Sequence, residues 1–218
     1  MNPYISRYRH IIWDWNGTLL DDAWLCLDIM NGMLNKRGMS PLSAARYREI
    51  FDFPVIDYYR RIGFDFTREP FEAISTEFIT EYNRRKFECR LRVHSREVLN
   101  HFSRQGRGQS ILSASQHASL ERIVQHHDIR HFFNEISGLD DHHAAGKTAN
   151  ARAMIRNLPL PPSEVLLIGD TVHDVAVAEA IGVDCLLIPG GHQDDQRLEA
   201  SGARRIGCLS DLLPAGEK

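Results

Sequence analysis

The chain has 218 residues, of which 43% are hydrophobic and 25% charged, and its formal net charge at pH 7 is −3. This length permits a full buried core, as one domain or as one domain with a small insert. The slightly acidic balance disfavours binding to nucleic acid or to a membrane surface, so small-molecule chemistry is favoured. Because no stretch approaches the roughly 18 apolar residues of a membrane span, we expect a cytoplasmic protein.

The first predicted element is a short buried strand that ends in a carboxylate. The apolar run at residues 11–13 leads directly to Asp14, and Asn16 and Gly17 then break the strand pattern. In open α/β sheets, ligands bind at the carboxyl ends of the strands. Asp14 is therefore placed where chemistry is expected.

The next part of the chain, residues 23–89, is predicted to be helical throughout. Its apolar residues recur at helical spacing, and glycine or proline follows most of the runs. The predicted helices cover residues 23–37, 43–51 and 55–62, and a longer one begins after Thr67 with Pro70 in its first turn. No convincing strand interrupts this region.

From residue 93 onwards, predicted strands alternate with predicted helices. The strands are at residues 109–113, 133–136, 164–168 and 183–188, and the helices at 96–105, 117–125, 146–157 and 174–181. This alternation is typical of an α/β fold with a doubly wound parallel sheet. We therefore expect a core domain formed by residues 1–20 and 91–218, with a helical cap domain, residues 21–90, inserted between them.

Four stretches of the chain, in order, resemble the motifs of the haloacid dehalogenase-like hydrolases. Residues 14–18 (DWNGT) resemble the first motif, which in the phosphatases of that family is Asp-x-Asp-Gly-Thr. Ser113 and Lys147 resemble the second and third motifs, and residues 169–174 (GDTVHD) match the fourth, Gly-Asp-x-x-x-Asp. An inserted helical cap directly after the first strand resembles the subfamily that includes phosphoglycolate phosphatase.

The resemblance implies a magnesium site. Its ligands would be the carboxylate of Asp14, the backbone carbonyl of Asn16, and Asp170, with Asp174 as a further ligand or as outer support. Carboxylates that converge at strand ends repel one another unless a cation lies among them, and oxygen ligands suit Mg²⁺. Taken alone, Asp170 could instead cap the helix that follows it.

The resemblance also implies how a phosphate would be handled. Asp14 would be the nucleophile and form an aspartyl-phosphate, while Ser113 and Lys147 would hold the phosphate oxygens. Thr18 is close enough in sequence to hold Asp14 or its loop by a hydrogen bond. Arg60 is a candidate for binding an acidic substrate tail. Taken alone, Ser113 could cap a helix and Lys147 could be solvated.

One position departs from the pattern of the resembling phosphatases. They carry a second aspartate, which protonates the leaving oxygen, where this chain has Asn16. An amide cannot exchange a proton at neutral pH, and general acid–base assistance contributes roughly 10²–10⁴-fold in rate. We therefore expect Asn16 to handicap the hydrolysis of an ordinary phosphomonoester, and Asn16→Asp to raise it.

Three hypotheses for the function remain open. The first is a Mg²⁺-dependent, phosphoglycolate phosphatase-like hydrolase of a small phosphorylated metabolite, which would be a monomer or a homodimer. In that case either Asp21, Asp22 or a cap residue supplies the proton, or the leaving group needs no proton. The second is a phosphonate hydrolase that forms an imine on a cap lysine, Lys36 or Lys86, both of which we expect on solvated helices. The third is a slow or non-catalytic regulatory protein that binds a phosphorylated ligand. Because a scaffold has no need of a nucleophile, Asp14 favours an enzyme.

Overall fold

The computed structural model describes residues 4–139 and 145–214. Within these ranges the chain forms a six-stranded parallel sheet and a separate antiparallel pair of short strands. The strands are β1 (His10–Trp13), β2 (Leu20–Asp21), β3 (Arg90–Leu91), β4 (Gly108–Gln116), β5 (Glu135–Leu139), β6 (Val165–Gly169), β7 (Asp184–Leu187) and β8 (Arg204–Arg205). The order in the large sheet is β5-β4-β1-β6-β7-β8, so β1 lies inside it, between β4 and β6.

Helices flank the large sheet or form the insertion between β2 and β3. They are α1 (Ala23–Lys36), α2 (Ala44–Ile50), α3 (Val55–Ile62), α4 (Phe71–Arg85), α5 (Ser95–Arg104), α6 (His117–His126), α7 (Ala145–Asn157), α8 (Val172–Ile181) and α9 (Asp195–Ala200). No helix in the described ranges is both long and apolar enough to cross a bilayer.

Successive side chains of β1 enter two different hydrophobic clusters, as expected of a strand with period two. Ile11 and Trp13 join the cluster that holds the apolar residues of α5 and α6. Ile12 joins a second cluster with those of α7 and α8. The apolar run is therefore buried on both faces, which confirms the predicted doubly wound α/β fold.

The predicted helical insertion is present between β2 and β3 and consists of α1 to α4. The short strands β2 and β3 pair antiparallel, Leu20 with Leu91 and Asp21 with Arg90, where the chain leaves the sheet and returns to it. This pair is absent from the sequence-based prediction because two residues are too few to show a strand pattern. The division into domains at residues 20/21 and 90/91 remains a prediction.

Candidate active site

The predicted acidic side chains meet at the carboxyl ends of β1 and β6. Asp14 directly follows β1, Asp170 directly follows β6, and Asp174 lies in the first turn of α8. The two strands pair in parallel, so their ends lie side by side. The three carboxylates have ligand atoms within 4.8 Å of one another, and all three side chains are buried. The arrangement predicted from strand order is therefore formed.

Lys147 lies inside this cluster and is only 3% exposed, so it is not a solvated lysine. Its Nζ is 2.5 Å from Oδ1 of Asp14 and 2.7 Å from Oδ1 of Asp174. One ammonium group faces three carboxylates, which leaves a surplus of buried negative charge. Buried charge of this kind is costly unless it is paired, so the cluster has the charge and the oxygen donors to hold a hard divalent cation.

Thr18 and the backbone N–H of His192 hold the carboxylates in place. The Oγ1 atom of Thr18 is 3.0 Å from Oδ2 of Asp14 and 3.0 Å from Oδ1 of Asp170. The backbone N–H of His192 donates to Oδ2 of Asp170 at 2.6 Å. A Cβ atom at Gly17 would lie 2.3 Å from this same Oδ2 atom, so only glycine permits this close approach.

Burial and charge act in opposite directions on these groups. Burial raises the pKa of Asp14 above its usual range, and the neighbouring Lys147 only partly offsets this effect. Burial also raises the pKa of Asp170. Burial disfavours the charged form of Asp174 too, but Lys147 outweighs it and holds the pKa of Asp174 below its usual range. Asp14 and Asp170 are thus the two carboxyls whose charged forms most need a further cation.

The side chain of Asn16 is fixed in a hydrogen-bond network that the sequence does not reveal. Its Nδ2 donates to Oδ2 of Asp22 at 2.6 Å and to the hydroxyl of Tyr82 at 2.8 Å. Its Oδ1 accepts from the hydroxyl of Ser115 at 2.8 Å and lies 3.4 Å from Oγ of Ser113. Ser113 lies inside β4 and beside Asn16, and it contributes a buried hydroxyl at the same sheet edge.

Asp22 and His192 form a buried pair next to Asn16. Asp22 is fully buried, and its Oδ1 accepts from the backbone N–H of Gly17 at 2.9 Å and lies 3.3 Å from Nε2 of His192. Burial disfavours the charged imidazole, but Asp22 outweighs it and raises the pKa of His192 to about 9. His192 is therefore positively charged at neutral pH. Its other nitrogen lies 2.6 Å from the hydroxyl of Tyr47.

Sequence reasoning missed His192 because it lies in a loop after β7 and belongs to no recognisable motif. The available signal was the Gly190-Gly191 pair that precedes it at a strand end. A Cβ atom at Gly191 would lie 2.1 Å from Oδ2 of Asp170, so the loop passes directly against the candidate ligand. Two glycines after a strand at the ligand-binding edge are compatible with such a close approach.

A cavity of about 460 Å³ lies above the cluster, between the sheet edge and the inserted helices. Asp14, Asn16, Asp22, Asp170 and His192 line its base. Eight aromatic side chains contribute to the rest of the lining: Tyr47, Phe51, Phe53, Tyr58, Tyr59, Phe71, Phe78 and Tyr82. Uncharged polar residues, among them Ser75, Thr76, Asn83 and Gln116, also line it. The lining, as far as the described residues define it, includes no lysine and no arginine.

Arg60 is not brought to the site. It is exposed at the end of α3, pairs with Asp57 at 2.6 Å, and has its guanidinium over the ring of Phe66. It is not among the residues that line the cavity. The helix carries it on the outer face because Tyr58 and Tyr59 occupy the buried face.

The expectation that Lys86 is solvated is wrong, because its side chain is only 1% exposed. Its Nζ donates to the backbone carbonyl of Ser119 at 3.0 Å and to Oδ1 of Asn83 at 3.1 Å. Burial lowers the pKa of Lys86 to about 8. Lys86 nevertheless lies behind the cavity wall and does not line it. Lys36 is exposed and pairs with Glu77.

Comparison with known proteins gives one family and one fold. The family model of the haloacid dehalogenase-like hydrolases matches residues 11–188. The chain is 25% identical over 212 residues to a 5′-nucleotidase of Pseudomonas aeruginosa, covering 92% of this chain and 91% of that protein.

Solved structures resemble the whole chain. A haloacid dehalogenase-like family protein of Streptococcus pneumoniae superimposes with a TM-score of 0.81 at 19% identity, over 95% of this chain and 98% of its own. CbbY of Rhodobacter sphaeroides, solved in complex with phosphate, superimposes with a TM-score of 0.73 at 19% identity, over 96% and 98%. At these identities the likeness establishes the fold.

Proposed function

The chain belongs to the haloacid dehalogenase-like hydrolase family, and from this premise we propose that it is a Mg²⁺-dependent phosphatase of a small phosphorylated metabolite. The observation that carries the proposal is the buried carboxylate of Asp14, which lines the cavity and is held by Lys147 at 2.5 Å. Similarity to the Pseudomonas protein named 5′-nucleotidase supports a reaction that releases phosphate.

Asp14 is the nucleophile in the proposed reaction. One of its carboxylate oxygens attacks the phosphorus atom, the bond from phosphorus to the leaving oxygen breaks, and an aspartyl-phosphate forms. Water then attacks the phosphorus atom, and the bond to Asp14 breaks to release inorganic phosphate and restore the carboxylate. In the proposed reaction Lys147 and Ser113 bind phosphate oxygens, and the charge of Lys147 stabilises the negative charge that develops during transfer.

The residues present fit a magnesium ion. Asp14, Asp170 and the backbone carbonyl of Asn16 would hold it, because burial leaves the first two carboxyls in need of a cation. Asp174 would support the site from outside, since its oxygens are bound by Lys147 at 2.7 Å and by the hydroxyl of Thr171 at 2.7 Å. When bound, Mg²⁺ would neutralise phosphate charge so that an anionic nucleophile can approach.

The proposed enzyme works without an acid at position 16. The Nδ2 atom of Asn16 donates to Asp22 and Tyr82, so this side chain holds the cavity base but supplies no proton. The imine-forming alternative finds no support, because neither Lys36 nor Lys86 lines the cavity. A binding role without turnover would leave the nucleophile unused.

Release of inorganic phosphate tests the proposal. Wild type and Asp14→Asn are assayed with and without Mg²⁺ on alkyl phosphates and on an acyl phosphate. We expect wild-type turnover that requires Mg²⁺ and that falls to background in Asp14→Asn. Asp57→Asn is the matched control, because Asp57 is a partly exposed aspartate that pairs with Arg60 outside the site. Equal turnover in Asp14→Asn and wild type would rule out Asp14 as the nucleophile.

A further inference from the structure

The cavity above Asp14 lacks a cation suited to a charged substrate tail. No lysine or arginine is found among its described lining residues, and its wall adds the carboxyl of Glu72. Three arginines of the inserted segment pair with carboxylates elsewhere: Arg37 with Glu69 and Glu77, Arg60 with Asp57, and Arg61 with Asp52. Arg48 donates to the backbone carbonyl of Gly191 and does not line the cavity. His192 is a cation at the cavity base, but its two ring nitrogens already contact the carboxylate of Asp22 and the hydroxyl of Tyr47.

A second anionic group on the substrate would therefore lose its water without gaining a lysine or arginine partner. Burial of an unpaired charge is strongly unfavourable. Eight aromatic side chains in the lining instead offer ring faces and edges. A volume of about 460 Å³ falls within the range of roughly 300–1,000 Å³ that is typical of pockets for small organic molecules.

Tyr58 adds one polar requirement to the aromatic part of the wall. Its side chain lines the cavity and is 2% exposed, and its hydroxyl has no hydrogen-bond partner within the described part of the chain. The hydroxyls of Tyr47 and Tyr82, by contrast, contact His192 and Asp22. Because buried hydroxyls normally have a partner, the one on Tyr58 calls for a polar atom from a bound molecule.

We propose that the substrate's leaving group is an uncharged aromatic ring that carries a hydrogen-bonding atom, which Tyr58 binds. The proposal rests on the phosphatase function above, because it places the phosphate at Asp14 and the ring in the cavity. It disfavours phosphoglycolate and other substrates whose leaving group carries a carboxylate.

Matched benzyl phosphates test the charge requirement, since their leaving alcohols have similar reactivity. We expect kcat/KM for para-carboxybenzyl phosphate to be at least about tenfold below that for benzyl phosphate, because its carboxylate meets no cation. Equal or faster turnover of the carboxylated compound would overturn the proposal.

Tyr58→Phe tests the polar contact. One hydrogen bond corresponds to about 2–10-fold in binding. We compare kcat/KM for the better of meta- and para-hydroxybenzyl phosphate with kcat/KM for benzyl phosphate, and we expect this ratio to be smaller by that factor in Tyr58→Phe. Tyr59→Phe is the control, because Tyr59 lines the same cavity and its hydroxyl is not among the buried unpartnered groups. The same preference in Tyr58→Phe and wild type would remove Tyr58 from the proposal.

Calorimetric binding of benzylphosphonate and para-carboxybenzylphosphonate separates this proposal from the phosphatase function. Tighter binding of benzylphosphonate supports the cavity assignment even if the protein releases no phosphate from any substrate. A lack of phosphate release would count against the phosphatase function alone. Equal affinity for the two phosphonates would count against the cavity assignment even in an active phosphatase.

Discussion

Exchanging the amide and the carboxylate between positions 16 and 22 should create a faster phosphatase. Nδ2 of Asn16 lies 2.6 Å from Oδ2 of Asp22, and both side chains line the cavity above Asp14. In the double variant Asn16→Asp/Asp22→Asn, the donor and the acceptor change places. Oδ1 at position 16 can still accept from Ser115, and Oδ1 at position 22 can still accept from the N–H of Gly17. The exchange also replaces the carboxylate that raises the pKa of His192 by an amide, so the imidazole loses its ion-pair partner.

The single variant Asn16→Asp should behave differently, which revises the expectation from the sequence. It places two carboxyls at about the 2.6 Å that now separates Asn16 from Asp22, so one of them must hold a proton. Replacing the amide–carboxylate hydrogen bond by a shared proton that a free carboxyl would not hold at neutral pH should cost about 1–3 kcal/mol of stability. The exchange variant avoids this cost and carries an ionisable acid at position 16, where assistance corresponds to roughly 10²–10⁴-fold in rate.

The assay is a double-mutant cycle of wild type, both single variants and the exchange variant. Phosphate release from an alkyl phosphomonoester with Mg²⁺ gives kcat/KM, and urea unfolding gives the stability. We expect at least about a tenfold gain in kcat/KM only in the exchange variant, and the largest loss of stability in Asn16→Asp. If kcat/KM does not rise in the exchange variant, the lack of an acid at position 16 does not limit the rate of the reaction. If Asn16→Asp is as stable as wild type and as active as the exchange variant, the predicted carboxylate repulsion is refuted.

Two further predictions concern backbone fit and pH. Gly17→Ala should abolish Mg²⁺-dependent phosphate release, because its Cβ would lie 2.3 Å from Oδ2 of Asp170. Gly38→Ala is the control and should retain activity, because Gly38 has a similar φ of +65° but lies in open space. Equal activity of the two variants would contradict the steric argument. Burial lowers the pKa of His10 from 6.5 to about 4, so as the pH falls through this window the unfolded state binds the proton first and the folded state loses up to about 3 kcal/mol. Urea unfolding at several pH values should show a weaker loss in His10→Gln, and an unchanged pH dependence would contradict it.

The fold and the acidic cluster were accessible from sequence because their signals are local and repeated. The apolar run before Asp14 and the strand before Asp170 each mark a strand end, and parallel order brings such ends together. The short elements β8 and α9 escaped prediction because two and six residues show too little periodicity.

The surroundings of Asn16 were not accessible, because they depend on contacts between distant segments. Tyr82 lies 66 positions from Asn16, and its place on the apolar face of α4 suggested packing and not a hydrogen bond to the cavity base. Lys86 was misjudged for the same reason, since Ser119, which covers its amine, is 33 positions away. Tertiary packing, which local sequence patterns do not encode, determines the surroundings of both residues.

The most direct test of the central claim is to trap the phosphoryl group on Asp14. Wild-type protein is mixed with Mg²⁺ and a turned-over substrate, quenched rapidly in acid, digested and examined by mass spectrometry. The mechanism predicts that the peptide containing Asp14 gains the mass of one phosphoryl group, and that the same peptide from Asp14→Asn gains none. A phosphoryl group on another residue, or turnover with no phosphorylated peptide at any quench time, would contradict it.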